Sequence, residues 1–127
     1  GDVYKRQQTN CKLTNEIQGY GIEFDNWENE PSENIDDPSS NHVALIKDSV
    51  GNHIIYSNDG RTEDNMWHTV VISFNFGNIS VIIDSEDILS YQISEPDYTF
   101  SGVGFTAGTG ANTNNHVVDD FSLFVYD

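Results

Sequence analysis

Between residues 21 and 42 the chain reads GIEFDNWENEPSENIDDPSSNH, and its acids are spaced for chemistry. Glu23 and Asp25 stand two apart. In a strand they project from one face with α-carbons about 6.6 Å apart, close enough for both carboxylates to lean onto one ion. Asn29 lies about 13 Å beyond Asp25 along a straight strand, so the chain must curl after Trp27 for the Asn29 amide to join them. Glu30-Pro31-Ser32 supplies a loop for that curl, which also turns backbone carbonyls inward, where hard cations use them. Asp37-Pro38-Ser39-Ser40 is a turn signature, and it brings His42 back toward the strand. The resulting set is three carboxylates, an amide, an imidazole and free carbonyls. Mostly oxygen with a single nitrogen, it suits Ca²⁺ beside Mn²⁺ or a similar transition ion and disfavours structural zinc. The plain alternative is an edge strand with its acids on a wet face and His42 as a turn residue.

Such a cluster needs positive charge, and the chain is short of it. Five Lys and Arg face twenty-one Asp and Glu, a net charge of −16 over 127 residues. That balance argues against nucleic acid and anionic membrane as partners, since neither is attracted to it, and it suits a cation binder or a protein from a salty habitat. No run of about eighteen apolar residues occurs, so no membrane span is expected. The first residues are polar and charged, without the pattern of a secretory signal. Cys11 is the single cysteine; it is either a free buried thiol or half of a bridge whose partner lies outside this sequence. The opening GDVYKRQ holds two of the five basic residues and resembles translated adapter sequence. Residues 1–7 are therefore read as a non-native leader, with the natural chain expected to begin further upstream.

The elements that must position these residues are strands. Helical periodicity is missing almost everywhere, while period-two alternation recurs. GYGIEFDNW puts Tyr20, Ile22 and Phe24 on one face and Glu23, Asp25 and Trp27 on the other. HVALIKD and HIIYS are short β-rich runs bounded by Asn, Asp and Gly. MWHTVVISFNF alternates Val70, Ile72, Phe74 and Phe76, and FGN turns it into ISVIID as an antiparallel hairpin. Further strands are expected in SGVGFTAGTG, with Val103, Phe105 and Ala107 on one face, and in HVVDDFSLFVY, with Phe121, Leu123 and Val125 alternating. About eight strands joined by Asn, Asp, Gly and Ser turns indicate an all-β fold, an antiparallel β-sandwich or jelly roll. No linker or repeat divides residues 8–127, which are read as one domain or part of one.

The order Glu23-x-Asp25-x-Trp27-x-Asn29, then Asp37-Pro38 and His42, resembles the metal-binding segment of L-type (legume-type) lectins. The resemblance implies that Glu23, Asp25, Asp37 and His42 hold a transition ion, usually Mn²⁺. It implies further that Asp25, Asp37, the Asn29 side chain and the Trp27 carbonyl hold Ca²⁺, with Asp25 and Asp37 bridging the two ions and Asn29 also touching the sugar. VGFTAGTGANTNNHVVDDFSL is similar to the family's penultimate strand, sugar-contacting loop and final strand, in which Gly110 and Ala111 match positions whose backbone grips a monosaccharide. WHTVVISF and ISVIID match a hairpin shared with laminin-G-like sandwiches. Together the match covers about residues 17 to 127. The implied architecture is concanavalin A-like, truncated at its N-terminus. The implied function is Ca²⁺/Mn²⁺-dependent, non-catalytic carbohydrate binding, outside the cell or in the secretory pathway, with a homo-oligomer left open.

This sequence departs from the family in two ways. The Asn29–Asp37 loop is a few residues longer, which makes Asp36 a rival ligand; Asp37 is chosen because Pro38 follows it. The family's upstream half carries another sugar-binding Asp in an Asp-Gly context, and none precedes residue 17. Asp59-Gly60 stands in the wrong place for that role and reads as a hairpin turn.

A rival reading takes Glu23, Asp25 and Glu28 as the acid cluster of a jelly-roll glycoside hydrolase resembling laminarinases. Retaining chemistry needs its two carboxyls about 5–5.5 Å apart, and in a regular strand Glu28 points away from Glu23, so a bulge is required. That reading leaves Asn29, Asp37 and His42 unexplained. A third reading is a metal-stabilised adhesion or structural module without sugar affinity. His116, near Asp119 and Asp120, is read as supporting a loop rather than as half of a dyad. His53 and His68 read as ordinary strand residues, and Trp67 as core. Asn78-Ile79-Ser80 is a glycosylation sequon, informative only in a secreted eukaryotic protein.

Overall fold

The computed structural model describes residues 18–28, 37–94, 99–100, 102–107 and 116–125. Their architecture is all-β: two antiparallel three-stranded sheets and one short 3₁₀ turn. The first sheet has the order β1 (Tyr20–Asp25), β2 (His42–Lys47), β3 (Ser49–Asn58). The second has the order β4 (Val70–Asn75), β5 (Asn78–Ile83), β6 (Glu86–Gln92). Among the described residues no helix is long and apolar enough to cross a membrane.

Each sheet buries its middle strand. In β2, His42 to Ile46 are buried without a break, the pattern of a strand covered on both faces. In β5, Ile79, Val81 and Ile83 are buried and alternate with half-buried neighbours. The two apolar faces meet. Val43 packs with Val81, Ile83 and Leu89, flanked by Ile22, Ile55 and Ile88. Leu45 packs with Ile79 and Ile93, flanked by Tyr20, Ile22, Ile54, Ile55 and Tyr91. Both clusters draw on both sheets, so neither sheet has a closed core alone.

The connections follow turn chemistry. At Phe76-Gly77 both residues have positive φ, 48° and 80°, which is what the two-residue hairpin joining β4 and β5 requires. Asp84-Ser85, with φ of 50° and 68°, does the same between β5 and β6. Asp59-Gly60 is not a hairpin turn. Asp59 caps the 3₁₀ turn Gly60–Glu63, its carboxylate accepting from the Arg61 backbone N–H at 3.0 Å. The Arg61 guanidinium then grips the Asp59 carboxylate, the Ile83 carbonyl and Glu86, tying this turn to the second sheet. His68 lies before β4 rather than within it, held between Asp64 and Asp84 at 2.8 and 2.6 Å.

Two expected strands do not form over the described residues. The described parts of the segments 102–107 and 116–125 form no strand, and Val103, Phe105, Phe121, Leu123 and Val125 are exposed, although Phe105 and Phe121 stack edge to face. Alternation marks a segment able to pair, but a ladder needs a partner strand, and no described strand pairs with either segment. The exposed edge of the second sheet shows the same deficit. By register Val70, Ile72 and Phe74 share the core-side face of Ile83, Val81 and Ile79, yet all six residues of β4 are exposed. Trp67 is 69% exposed rather than core, because it stands in the link ahead of β4.

Phe76 is 94% exposed and sits in the left-handed region, where an L-residue with a bulky side chain is disfavoured. Phe76→Asn, which creates the favoured Asn-Gly pair, is expected to raise stability by about 1 kcal/mol, measured as a later urea midpoint at unchanged slope. An earlier midpoint means that the Phe76 ring packs on something that stabilises the fold.

Candidate metal centre

β1 places Glu23 and Asp25 on one face, as their spacing of two requires, and that face is not wet. Glu23 is 2% exposed and Asp25 0%. The antiparallel register sets Asp25 directly opposite His42, which is also fully buried. Asp37 reaches the same place from the loop before β2 and is 6% exposed. So Glu23, Asp25, Asp37 and His42 come together, and the reading of an edge strand with acids in water is overturned.

His53 joins them, which alternation along the sequence did not indicate. In HIIYS a regular strand puts His53 on the face of Ile55, and Ile55 packs in the core. The ladder, however, slips by one residue: Leu45 pairs with Ile55, but Ile46 pairs with His53. The extra residue, Ile54, turns coreward beside Ile55, and His53 passes to the face of Glu23. A single bulge thus moves one side chain across the sheet. The trace in the sequence is the adjacent pair Ile54-Ile55, of which regular alternation can bury only one.

The contacts are close. His42 Nε2 lies 2.6 Å from Glu23 Oε1, and His53 Nε2 lies 2.8 Å from the same oxygen. His53 Nε2 is 3.6 Å from Asp37 Oδ1, and His42 Nε2 is 3.9 Å from Asp25 Oδ2. On its other side the His42 ring is fixed: Nδ1 lies 2.8 Å from the Ser39 carbonyl. A carbonyl only accepts, so Nδ1 carries the proton and donates it. In neutral His42 the Nε2 lone pair therefore faces a carboxylate oxygen, a contact that holds only if a proton or a cation lies between them. Metal-bound histidines show this arrangement, with one nitrogen at the ion and the other N–H on a carbonyl.

Charge accounting points the same way. Among the described residues Glu23 and Asp25 meet no Lys or Arg; their ion pairs are with the two imidazoles. Glu23 Oε2 and Asp25 Oδ2 are buried and accept no hydrogen bond from a described residue. Buried acceptors are rarely left so. Burial pushes the Asp25 carboxyl from its ordinary 3.8 up to about 8, aided by Glu23 and Asp37 and opposed by the Trp27 N–H, which donates to Oδ1 at 2.9 Å. Burial alone lowers the His42 pKa, but the Glu23 carboxylate and the Ser39 carbonyl outweigh it and raise it. Oxygen and nitrogen donors, two orphaned carboxylate oxygens and an oriented imidazole fit a divalent cation.

Trp27 follows the cluster and is 40% exposed. Glu28 is exposed, unlike Glu23. Asn29, the rival Asp36, Gly110, Ala111 and Cys11 lie outside the described residues. His116 makes no ion pair with Asp119 or Asp120. Comparison of the chain with protein-family models, with curated proteins and with solved structures finds no match.

The sign of the pH dependence follows. Asp25 takes up its proton more readily folded than unfolded, so without metal the folded chain binds more protons between about pH 4 and 8 and loses stability as pH rises through that window. His42, raised as well, contributes stability that is present at low pH and lost on the same rise. With an ion bound the slope should reverse, because ligands must be deprotonated. Melting temperatures with EDTA and with Ca²⁺ plus Mn²⁺ are expected to coincide near pH 4, where protons displace the ions, and to diverge toward pH 8 with the metal-loaded protein the more stable. Sodium chloride at matched ionic strength controls for screening of the −16 charge, and a shift reproduced in full by salt contradicts the metal centre.

Proposed function

We propose that the chain is a metal-dependent, non-catalytic carbohydrate-binding domain, a β-sandwich of concanavalin A-like architecture akin to L-type lectins. The observation that carries this reading is the convergence of Glu23, Asp25, Asp37 and His42 in one buried cluster. These are the four side chains that the resemblance assigns to the transition ion. Two sheets that share their core support the sandwich.

In this reading Glu23, Asp25, Asp37 and His42 hold a transition ion, while Asp25, Asp37, Asn29 and the Trp27 carbonyl hold Ca²⁺. The bound ions neutralise the acids and rigidify the loop that follows β1. Asn29, Gly110 and Ala111 are the residues that the resemblance assigns to the sugar, and the Trp27 N–H on Asp25 couples the chain after β1 to a metal-bridging carboxylate. A chain of this kind works outside the cell or in the secretory pathway. The hydrolase reading asks Glu23 to act with Glu28, but Glu23 is buried against two imidazoles and Glu28 is exposed.

The expected result on a glycan array is binding that EDTA abolishes, that Ca²⁺ with Mn²⁺ restores, and that Asp25→Ala removes, since this residue serves both ions. β-Glucan hydrolysis lost in Glu28→Gln and kept in His42→Ala overturns the proposal in favour of the enzyme. Metal binding without any glycan binding leaves the adhesion module.

A further inference from the structure

We propose that His53 is a direct metal ligand beside Glu23, Asp37 and His42, taking at the transition ion the place given above to Asp25, which is left to the Ca²⁺ position, so that the transition-ion position is a two-nitrogen, two-oxygen site built for Zn²⁺. The inference deepens the metal-dependent reading above and rests on it. The ligand atoms of these four residues all lie within 4.8 Å of one another, within reach of a single ion. Sequence alone gave one nitrogen among many oxygens, a set that disfavours structural zinc. The bulge between Leu45 and Ile46 changes that set by turning a second imidazole inward.

His42 and His53 do not merely lie nearby. Both direct Nε2 at one oxygen, Glu23 Oε1, at 2.6 and 2.8 Å, with their rings nearly perpendicular at 79°. Two ring nitrogens and a carboxylate oxygen converging on one region are donors awaiting a common acceptor. A second observation points to a ligand there: Glu23 is 2% exposed and its Oε2 accepts no hydrogen bond from a described residue. Asp25 is fully buried and directs Oδ2 to within 3.9 Å of His42 Nε2, again without a hydrogen bond. Four protein ligands are the number that closes a four-coordinate zinc site, imidazole nitrogen and carboxylate oxygen are both zinc ligands, and imidazole favours later first-row ions over manganese. The His53 side chain, 9% exposed, is the most open of the four and marks the side from which an ion is admitted.

The rival explanation is that both imidazoles are protonated and serve as the counter-cations of the acids. The two are separated by titrating the whole chain at neutral pH with Zn²⁺, Mn²⁺ and Co²⁺. The readouts are the coordination number of the bound ion and the effect of replacing His53. Wild-type protein is expected to give the intense visible absorption of four-coordinate Co²⁺. His53→Gln is expected to weaken Zn²⁺ by at least the 10- to 100-fold that loss of a mere outer-shell partner brings, and to weaken Mn²⁺ less. The pale spectrum of six-coordinate Co²⁺ overturns the proposal without any variant, as does unchanged Zn²⁺ affinity in His53→Gln. Mn²⁺ bound in those cases leaves the metal-dependent reading standing. Binding of no divalent ion ends both.

Discussion

Three carboxylates drawn out of water against one another, with only imidazoles among the described residues as cationic neighbours of Glu23 and Asp25, set the terms for this fold. Desolvating an ionised carboxylate costs several kcal/mol even after relaxation, and mutual repulsion adds to it. A protein tolerates that arrangement if the acids hold protons or if a cation takes their charge. In the first case Asp25 stays neutral and His42 charged; in the second both deprotonate around an ion. Everything near the cluster is compatible with the second state: the His42 ring locked by Ser39, the orphaned carboxylate oxygens, and the Trp27 N–H steadying Asp25.

The cluster also organises the first sheet. Its side chains come from β1, from the loop before β2, from the start of β2 and from β3, so one charge centre spans all three strands. The opposite face of the same strands supplies Ile22, Val43, Leu45 and Ile55 to the shared core. β1 and β2 are therefore committed on both faces, one to charge and one to apolar packing. Their register is correspondingly fixed, because a one-residue slip would send Glu23 and Asp25 into the hydrocarbon core and Ile22 into the acids.

Much of this was legible in residue order, and the limits have physical causes. Period two fixes the common face of Glu23 and Asp25 whatever surrounds them, and Asp37-Pro38 made the return to His42 readable as a turn. Burial was not readable, since the same alternation describes a wet edge. His53 was missed because a bulge adds one residue and reverses every parity argument beyond it; only the crowded Ile54-Ile55 pair betrays it. The strands expected in SGVGFTAGTG and HVVDDFSLFVY do not form over their described residues, 102–107 and 116–125, for another reason. Alternation reports what a segment can do with a partner, and pairing is a property of two strands. Trp67 reads as core within the run MWHTVVISFNF, but the strand begins only at Val70, so no ladder carries Trp67 inward.

Diffraction from crystals grown with Zn²⁺, Mn²⁺ and Ca²⁺, recorded on either side of the metal absorption edges, tests the central claim most directly. The expected result is an anomalous peak bonded to Glu23, Asp37 and His42, at the roughly 2.0–2.2 Å of a zinc or similar ion. A well-ordered cluster with no anomalous peak, and with Glu23 joined to His42 and His53 by hydrogen bonds alone, would contradict it.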